Sequence, residues 1–234
     1  MLDKVIIDGL AFALPLFIMA IGGIYSERSG ITNLALEGLQ GAGAFVGALV
    51  AVLMMQSMGP NSQLPYYAAM LFAMLGGMIY SMLHALLCVK FKANQVISGV
   101  VINILAMALT AFKTKVINRV VFGAPSDKFD LGVSQKWTVP VLSEIPILGA
   151  VFKDIYPFEV IIIVVAIVAW YVLYKTKYGL HLRACGDNRH AVDAAGIDVG
   201  KIRFTAVMVS GVRYISKFAV IPLVRYSMIA SFDK

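Results

Sequence analysis

Charge is scarce in this sequence: 14% of its 234 residues are Asp, Glu, Lys or Arg, against about a quarter in an ordinary soluble domain. Hydrophobic residues make up 60%. A water-soluble chain needs polar residues to coat its outside, and here the apolar residues come in long blocks, which points to lipid as the solvent. Cysteine is almost absent. Cys88 and Cys185 stand far apart with no CxxC or Cys/His spacing, so both are read as free thiols and a disulfide scaffold is excluded. Catalytic signatures are missing as well: no GxxxxGK[ST] loop, no GxGxxG turn after a strand, no HExxH pair and no Gly-x-Ser-x-Gly elbow. No catalytic residue, metal set or cofactor is therefore expected in this chain, and it is not read as an enzyme. The net charge of +7 comes from Lys and Arg placed between apolar blocks, with no basic face along a helix or strand, so nucleic acid is not an expected partner.

What is present is hydrophobic length. A membrane-spanning helix takes roughly 20 mostly apolar residues. Five stretches qualify, at about residues 5–24, 37–56, 66–89, 94–112 and 157–174, and a sixth begins near Ile202 but meets Arg213 and Lys217. The expected fold is an all-α polytopic transmembrane bundle of about five to six spans, forming a single domain over residues 1–234. The first block starts almost at Met1 and carries Asp8 and Pro15 without a basic leader, so it is expected to stay in the mature protein. Gly38, Gly41, Gly43 and Gly47 make a small-residue stripe suited to close helix packing.

Lys and Arg collect in short cytoplasmic loops. Residues 175–203 carry Lys175, Lys177, Arg183, Arg189, Lys201 and Arg203 against Asp187, Asp193 and Asp198, and Lys90 and Lys92 mark a second basic turn. Both are expected inside. Residues 57–65 hold no charge, which puts that turn and, by alternation, the amino terminus outside. The connection from Lys113 to Tyr156 then falls outside too, its six basic residues partly offset by four acidic ones. Within it VPVLSEIPILGAVF, residues 139–152, is apolar enough to lie along the membrane surface or dip into it.

Three segments place polar residues where lipid would make them costly. In YSERSGITNLALEG, residues 25–38, Asn33 and Glu37 share a face if the second helix starts there; a capped cytoplasmic turn is the alternative. In NQVISGVVIN, residues 94–103, positions 95, 98 and 102–103 share a face, which suits either interhelical hydrogen bonds or a polar path. In YGLHLRACGDNRHAVDAAGIDVGKIR, residues 178–203, Asp187 or Asn188 can cap a short helix that Gly196 ends. His84 reads as a satisfied interior group.

These three segments, in this order and spacing, resemble the permease subunits of bacterial ABC importers of the ribose and branched-chain amino acid superfamily, and most of all its nucleoside and simple-sugar branch. The resemblance implies a multi-pass protein of the bacterial cytoplasmic membrane that forms the translocation path for nucleosides or simple sugars. It implies a second permease subunit, cytoplasmic ATPase subunits that bind the ATP, and an extracytoplasmic substrate-binding lipoprotein. The family's coupling helix falls within the cytoplasmic loop 175–203, on Gly186, Asp187, Asn188, Ala194, Ala195, Gly196 and Ile197. Asn33, Glu37, Gln95 and Asn103 carry over as substrate-path candidates. Beyond Gly211 the family pattern is lost: VRYISKFAVIPLVRYSMIASFDK carries Arg213, Lys217 and Arg225, each costing roughly 2.5–3.5 kcal/mol at a span's centre, so a truncated or altered end is expected. The alternatives are a branched-chain amino acid permease of the same superfamily, or a secondary transporter built on Asp8, His84 and Glu159, which lie near ends or stand alone. A membrane-embedded enzyme would need a clustered catalytic set, and none is found.

Overall fold

The computed structural model describes residues 2–59, 62, 64–123, 126, 128–129 and 157–212. All secondary structure among them is helical: α1 (Leu2–Arg28), α2 (Leu36–Met58), α3 (Leu64–Ala85) continued by a π-helical turn (Leu86–Lys90), and α4 (Gln95–Val121). Further along the chain come α5 (Pro157–Lys175), α6 (Lys177–Asp187), α7 (Arg189–Ala194) and α8 (Val199–Val212). Helices thus cover all five apolar stretches and the start of the sixth. Among the described residues α2, α3 with its π turn, and α4 are long and apolar enough to cross a membrane. A fourth crossing results if α5 and α6, bent by 70° at their junction, count as one broken span. The fold is an all-α polytopic bundle.

α2 is its most enclosed span, 56% buried, against 22% for α4. It packs on α3 almost backbone to backbone: a Cβ on Gly43 would lie 2.8 Å from the Ala73 carbonyl oxygen, and one on Gly76 the same distance from Val46. Without a hydrophobic drive between helices in lipid, such close approach supplies the dispersion contacts that hold them. Gly41 faces open space, so the stripe is only partly an interface. On the other flank Tyr25 of α1, Ala169 and Leu173 of α5, Leu182 of α6 and Ala206 of α8 make one buried cluster, and the Tyr25 hydroxyl donates to the Ala169 carbonyl. Both cysteines are free and buried.

Two boundaries differ from the sequence expectation. α4 runs on to Val121, so Lys113, Lys115 and Arg119 stand on a helix rather than in a loop; long stems let such residues reach past the apolar zone. α2 starts only at Leu36, so Asn33 precedes the helix and does not share a helical face with Glu37. The Asn33 side chain accepts the Ala35 N–H at 3.0 Å, an Asx turn that competes with helix, and its Nδ2 is held by Ser210 of α8. Residues 139–152, and Arg213, Lys217 and Arg225, lie outside the described residues.

Connectivity gathers the α1–α2 turn, the Lys90–Asn94 turn and the α6–α8 region at one end, since Ile31 packs against Cys88 and Val207. This is the basic end, which the charge rule assigns to the cytoplasm. In a Cys88→Ala, Cys185→Ala background, a membrane-impermeant maleimide is expected to label Ser62→Cys only from outside and His190→Cys only from inside. Labelling of both from the same side would overturn this topology.

Candidate functional site

α1 stops in a glycine-dependent way. Gly30 adopts φ +82°, its N–H donates to the Glu27 carbonyl at 2.9 Å, and the Ile31 N–H reaches back to the Ser26 carbonyl at 3.2 Å. This is the paired closure that a left-handed residue gives a helix end. Residues 31–35 then run without helical hydrogen bonds into the bundle, where Ile31, Asn33 and Ala35 are buried. Backbone groups stranded there need partners.

Side chains from α4 and α8 supply them. The Gln95 Oε1 accepts the Thr32 N–H at 2.7 Å. Asn103 makes a two-sided clip: its Nδ2 donates to the Leu34 carbonyl at 2.8 Å and its Oδ1 accepts the Gly38 N–H at 2.7 Å. Asn33 donates through Nδ2 to the Ser210 hydroxyl of α8 at 3.1 Å while its own oxygen holds Ala35. Gln95 can face inward at α4's first turn because Asn94 caps the helix, accepting the Val96 and Ile97 N–H groups. The clip also needs small residues: a Cβ on Gly99 would lie 2.8 Å from that of Leu34, and one on Gly38 2.7 Å from Asn103 Cα.

Three of the four path candidates, Asn33, Gln95 and Asn103, thus meet around one extended segment. Glu37 is adjacent but exposed, in the first turn of α2, where the helix end favours a carboxylate. Behind them the His84 Nδ1 lies 3.0 Å from the Ser98 hydroxyl, both buried, and the Tyr80 hydroxyl donates to the Ile102 carbonyl at 3.1 Å. Ser210 is invisible as a partner in the sequence, because a lone serine in an apolar helix carries no spacing signal.

Arg203 reads in the sequence only as loop charge. Its Nε donates to the Ser29 carbonyl at 2.8 Å and its Nη2 to the Cys185 carbonyl at 3.2 Å, so it ties the start of α8 to the α1–α2 turn and to the end of α6. A Cβ on Gly186 would collide with the Arg28 carbonyl oxygen, so the end of α6 sits directly on that turn.

The residues expected to form a docking loop make a separate, exposed group beyond this contact. Asn188 caps α7 by accepting the His190 and Ala191 N–H groups, both at 3.1 Å. Gly196, at φ +78°, ends it with the same closure as Gly30: its N–H donates to Asp193 at 2.9 Å and that of Ile197 to Val192 at 3.2 Å. The expected short helix is present, with Asn188 rather than Asp187 as its cap. Val192 points inward, whereas Ala191, Ala194 and Ala195 are exposed and Ile197 is half-buried. Asp198 then accepts the Lys201 N–H at 2.9 Å and pairs with its ammonium at 3.2 Å, which holds its carboxyl below the usual carboxylate range. Its support for the α8 start is therefore present at neutral pH and lost only as pH falls through that lowered value.

A family profile described as the permease component of branched-chain amino acid transport systems matches residues 5–213. The chain belongs to this permease family. It is an integral membrane protein, and the family consists of transport components rather than catalysts. Among curated relatives, the guanosine ABC transporter permease protein NupQ of Bacillus subtilis is 39% identical over 204 residues, 86% of this chain and 61% of that protein. The nucleoside ABC transporter permease protein NupC of Lactococcus lactis is 38% identical over 213 residues, covering 90% and 64%. The probable branched-chain amino acid permease LivH of Methanocaldococcus jannaschii is 26% identical over 214 residues, covering 89% and 63%. The chain thus spans less than two thirds of the length of these curated relatives. No solved structure matches.

The clip can be tested for strength. Asn103→Leu strands the buried Gly38 N–H and removes the bond to the exposed Leu34 carbonyl, so it is expected to destabilise the permease by about 1–3 kcal/mol, the cost of one buried unsatisfied group. Thermal unfolding in detergent reads this out, with Gly41→Ala as a control expected within about 0.5 kcal/mol of the parent. Equal melting of Asn103→Leu and the parent would show that the clip contributes nothing.

Proposed function

We propose that this permease is the transmembrane subunit of an ATP-driven importer whose substrates are nucleosides. The observation carrying the substrate class is that the two relatives at 38–39% identity, NupQ and NupC, are a guanosine and a nucleoside permease, while the branched-chain amino acid permease LivH stands at 26% and a second guanosine permease, NupP of Bacillus subtilis, at 23%. Simple sugars are the second reading, supported by 29% identity to a putative glucose ABC transporter permease of Haloferax volcanii. The chain carries no phosphate-binding loop, so its energy comes from cytoplasmic ATPase subunits that bind the ATP. A second permease subunit completes the path, and an extracytoplasmic lipoprotein delivers the substrate in the bacterial cytoplasmic membrane.

Exposed small residues on α7 suit insertion into a groove, with Asp187, Arg189 and Asp193 as a polar rim. Gly186, Asn188, Gly196 and Ile197 shape and end that knob. A displacement there reaches the end of α6 and, through Arg203 and the Gly186 contact, the α1–α2 turn. Downstream of the turn lies the segment held by Asn33, Gln95 and Asn103, with the Glu37 carboxylate beside it. In this mechanism the path opens and closes along that segment as the turn moves.

Two classes of variant separate docking from transmission. Ala195→Arg crowds the groove and Gly196→Val resists the left-handed turn, so both are expected to abolish ATPase recruitment in pull-downs. Arg203→Ala is expected to keep recruitment and lose more than about 10-fold of nucleoside uptake in reconstituted vesicles, since the linkage is broken after the docking step. Normal recruitment by both loop variants sinks the docking assignment. Uptake competed by leucine but not by guanosine sinks the substrate class.

A further inference from the structure

At the bend between α5 and α6 the exposed surface carries a continuous run of rings and cations. Trp170 and Tyr174 pack with ring centroids 6.2 Å apart. The Lys175 ammonium lies 5.9 Å from the Trp170 ring centre, and the Arg183 guanidinium 5.2 Å from that of Tyr174. Both rings remain about half exposed, at 55% and 44%. Neither cation has a carboxylate within ion-pairing distance among the described residues. The two positive charges are therefore oriented by aromatic faces, with no carboxylate partner among the described residues.

The backbone explains why they point outward. Thr176 breaks α5 from α6 by accepting the Gly179 N–H at 3.2 Å, and the 70° bend turns α6 away from the span direction. α6 buries Leu182 and Cys185 against the bundle while Leu180 is 58% exposed, so the helix lies along the end of the bundle with an apolar residue turned outward. Trp and Tyr at this depth are interfacial residues, and Lys and Arg extend from such positions to the headgroup layer. By the charge rule this is the cytoplasmic end, whose leaflet carries anionic lipid.

We propose that Lys175, Trp170, Tyr174 and Arg183 form a binding site for an anionic phospholipid. The headgroup phosphodiester is held between the ammonium and the guanidinium, and the two rings cover the glycerol region. Arg183 suits this because its planar fork can donate twice to a phosphate, and its Nε is already steadied on the Gly179 carbonyl at 3.3 Å. The charge complementarity selects lipid over a second copy of the chain, which would bring the same two cations against themselves if it docked here symmetrically.

The full chain, purified in mild detergent, is titrated with phosphatidylglycerol or with phosphatidylcholine of the same acyl chains, and bound lipid is counted by native mass spectrometry. The parent is expected to prefer phosphatidylglycerol. K175Q/R183Q is expected to lose roughly 5- to 30-fold of that preference, the attraction of one to two cations for an anionic surface. R183K, which keeps the charge, is expected to retain most of it, and K90Q/K92Q, which removes two cations elsewhere at the same end, to retain all of it. Equal binding of both lipids by the parent overturns the site. So does an unchanged preference in K175Q/R183Q, or an equal loss in K90Q/K92Q, which would reduce the effect to net charge. A change in dimer fraction without a change in lipid preference would assign the patch to a second copy and likewise overturn it.

Discussion

Peptide groups that leave a helix inside an apolar bundle must find partners other than water, and the stretch between α1 and α2 does so by borrowing amides. Gln95 takes the Thr32 N–H, Asn103 takes the Leu34 carbonyl and the Gly38 N–H together, and Asn33 closes on Ala35 while reaching Ser210. Irregular backbone at membrane depth is tolerated only where protein or a water-lined cavity surrounds it, so these contacts are a condition of the fold as well as a feature of the site. They also explain the glycines at positions 38 and 99, whose missing side chains let two backbones meet.

The same segment is bounded at the basic end of the bundle by a second contact. Arg203 spans two carbonyls that belong to different parts of the chain, and α6 rests on the α1–α2 turn through Gly186. Helix α7, proposed to dock the ATPase, is short, but it is started and stopped by well-formed caps, so a push on it would move a defined body rather than a slack loop. Fold and proposed transport therefore share one element: the hydrogen-bonded turn that satisfies the backbone is also the place where, in the proposed mechanism, motion at the α7 loop would arrive.

Much of this is legible in the residues alone. Among the described residues, hydropathy locates each helix long and apolar enough to span, because a run of about 20 apolar residues is matched to the thickness of a bilayer. Asn188 and Gly196 announce a short helix, since a side-chain oxygen at one end and a residue free to adopt positive φ at the other are local requirements. The inward face of α4 follows from helical spacing at positions 95, 98, 102 and 103. The start of α2 does not follow, because whether Asn33 begins a helix or folds back on Ala35 is decided by partners on α4 and α8, which are distant in sequence. The reach of α4 to Val121 is hidden by its lysines, which read as loop by composition although a helix emerging from lipid can carry them. Arg203 looks like one more loop charge, and only tertiary structure shows that it donates to carbonyls.

The most direct test is hydrogen exchange of the segment itself. In the purified permease, mass spectrometry of peptides covering residues 29–38 is expected to show the Thr32, Ala35 and Gly38 amides protected to a degree comparable with the interior of α2. With Gln95→Leu and Asn103→Leu combined, that protection is expected to fall selectively while α3 keeps its own. Exchange of the parent segment as fast as that of an open loop, or protection unchanged in the double variant, would contradict the account.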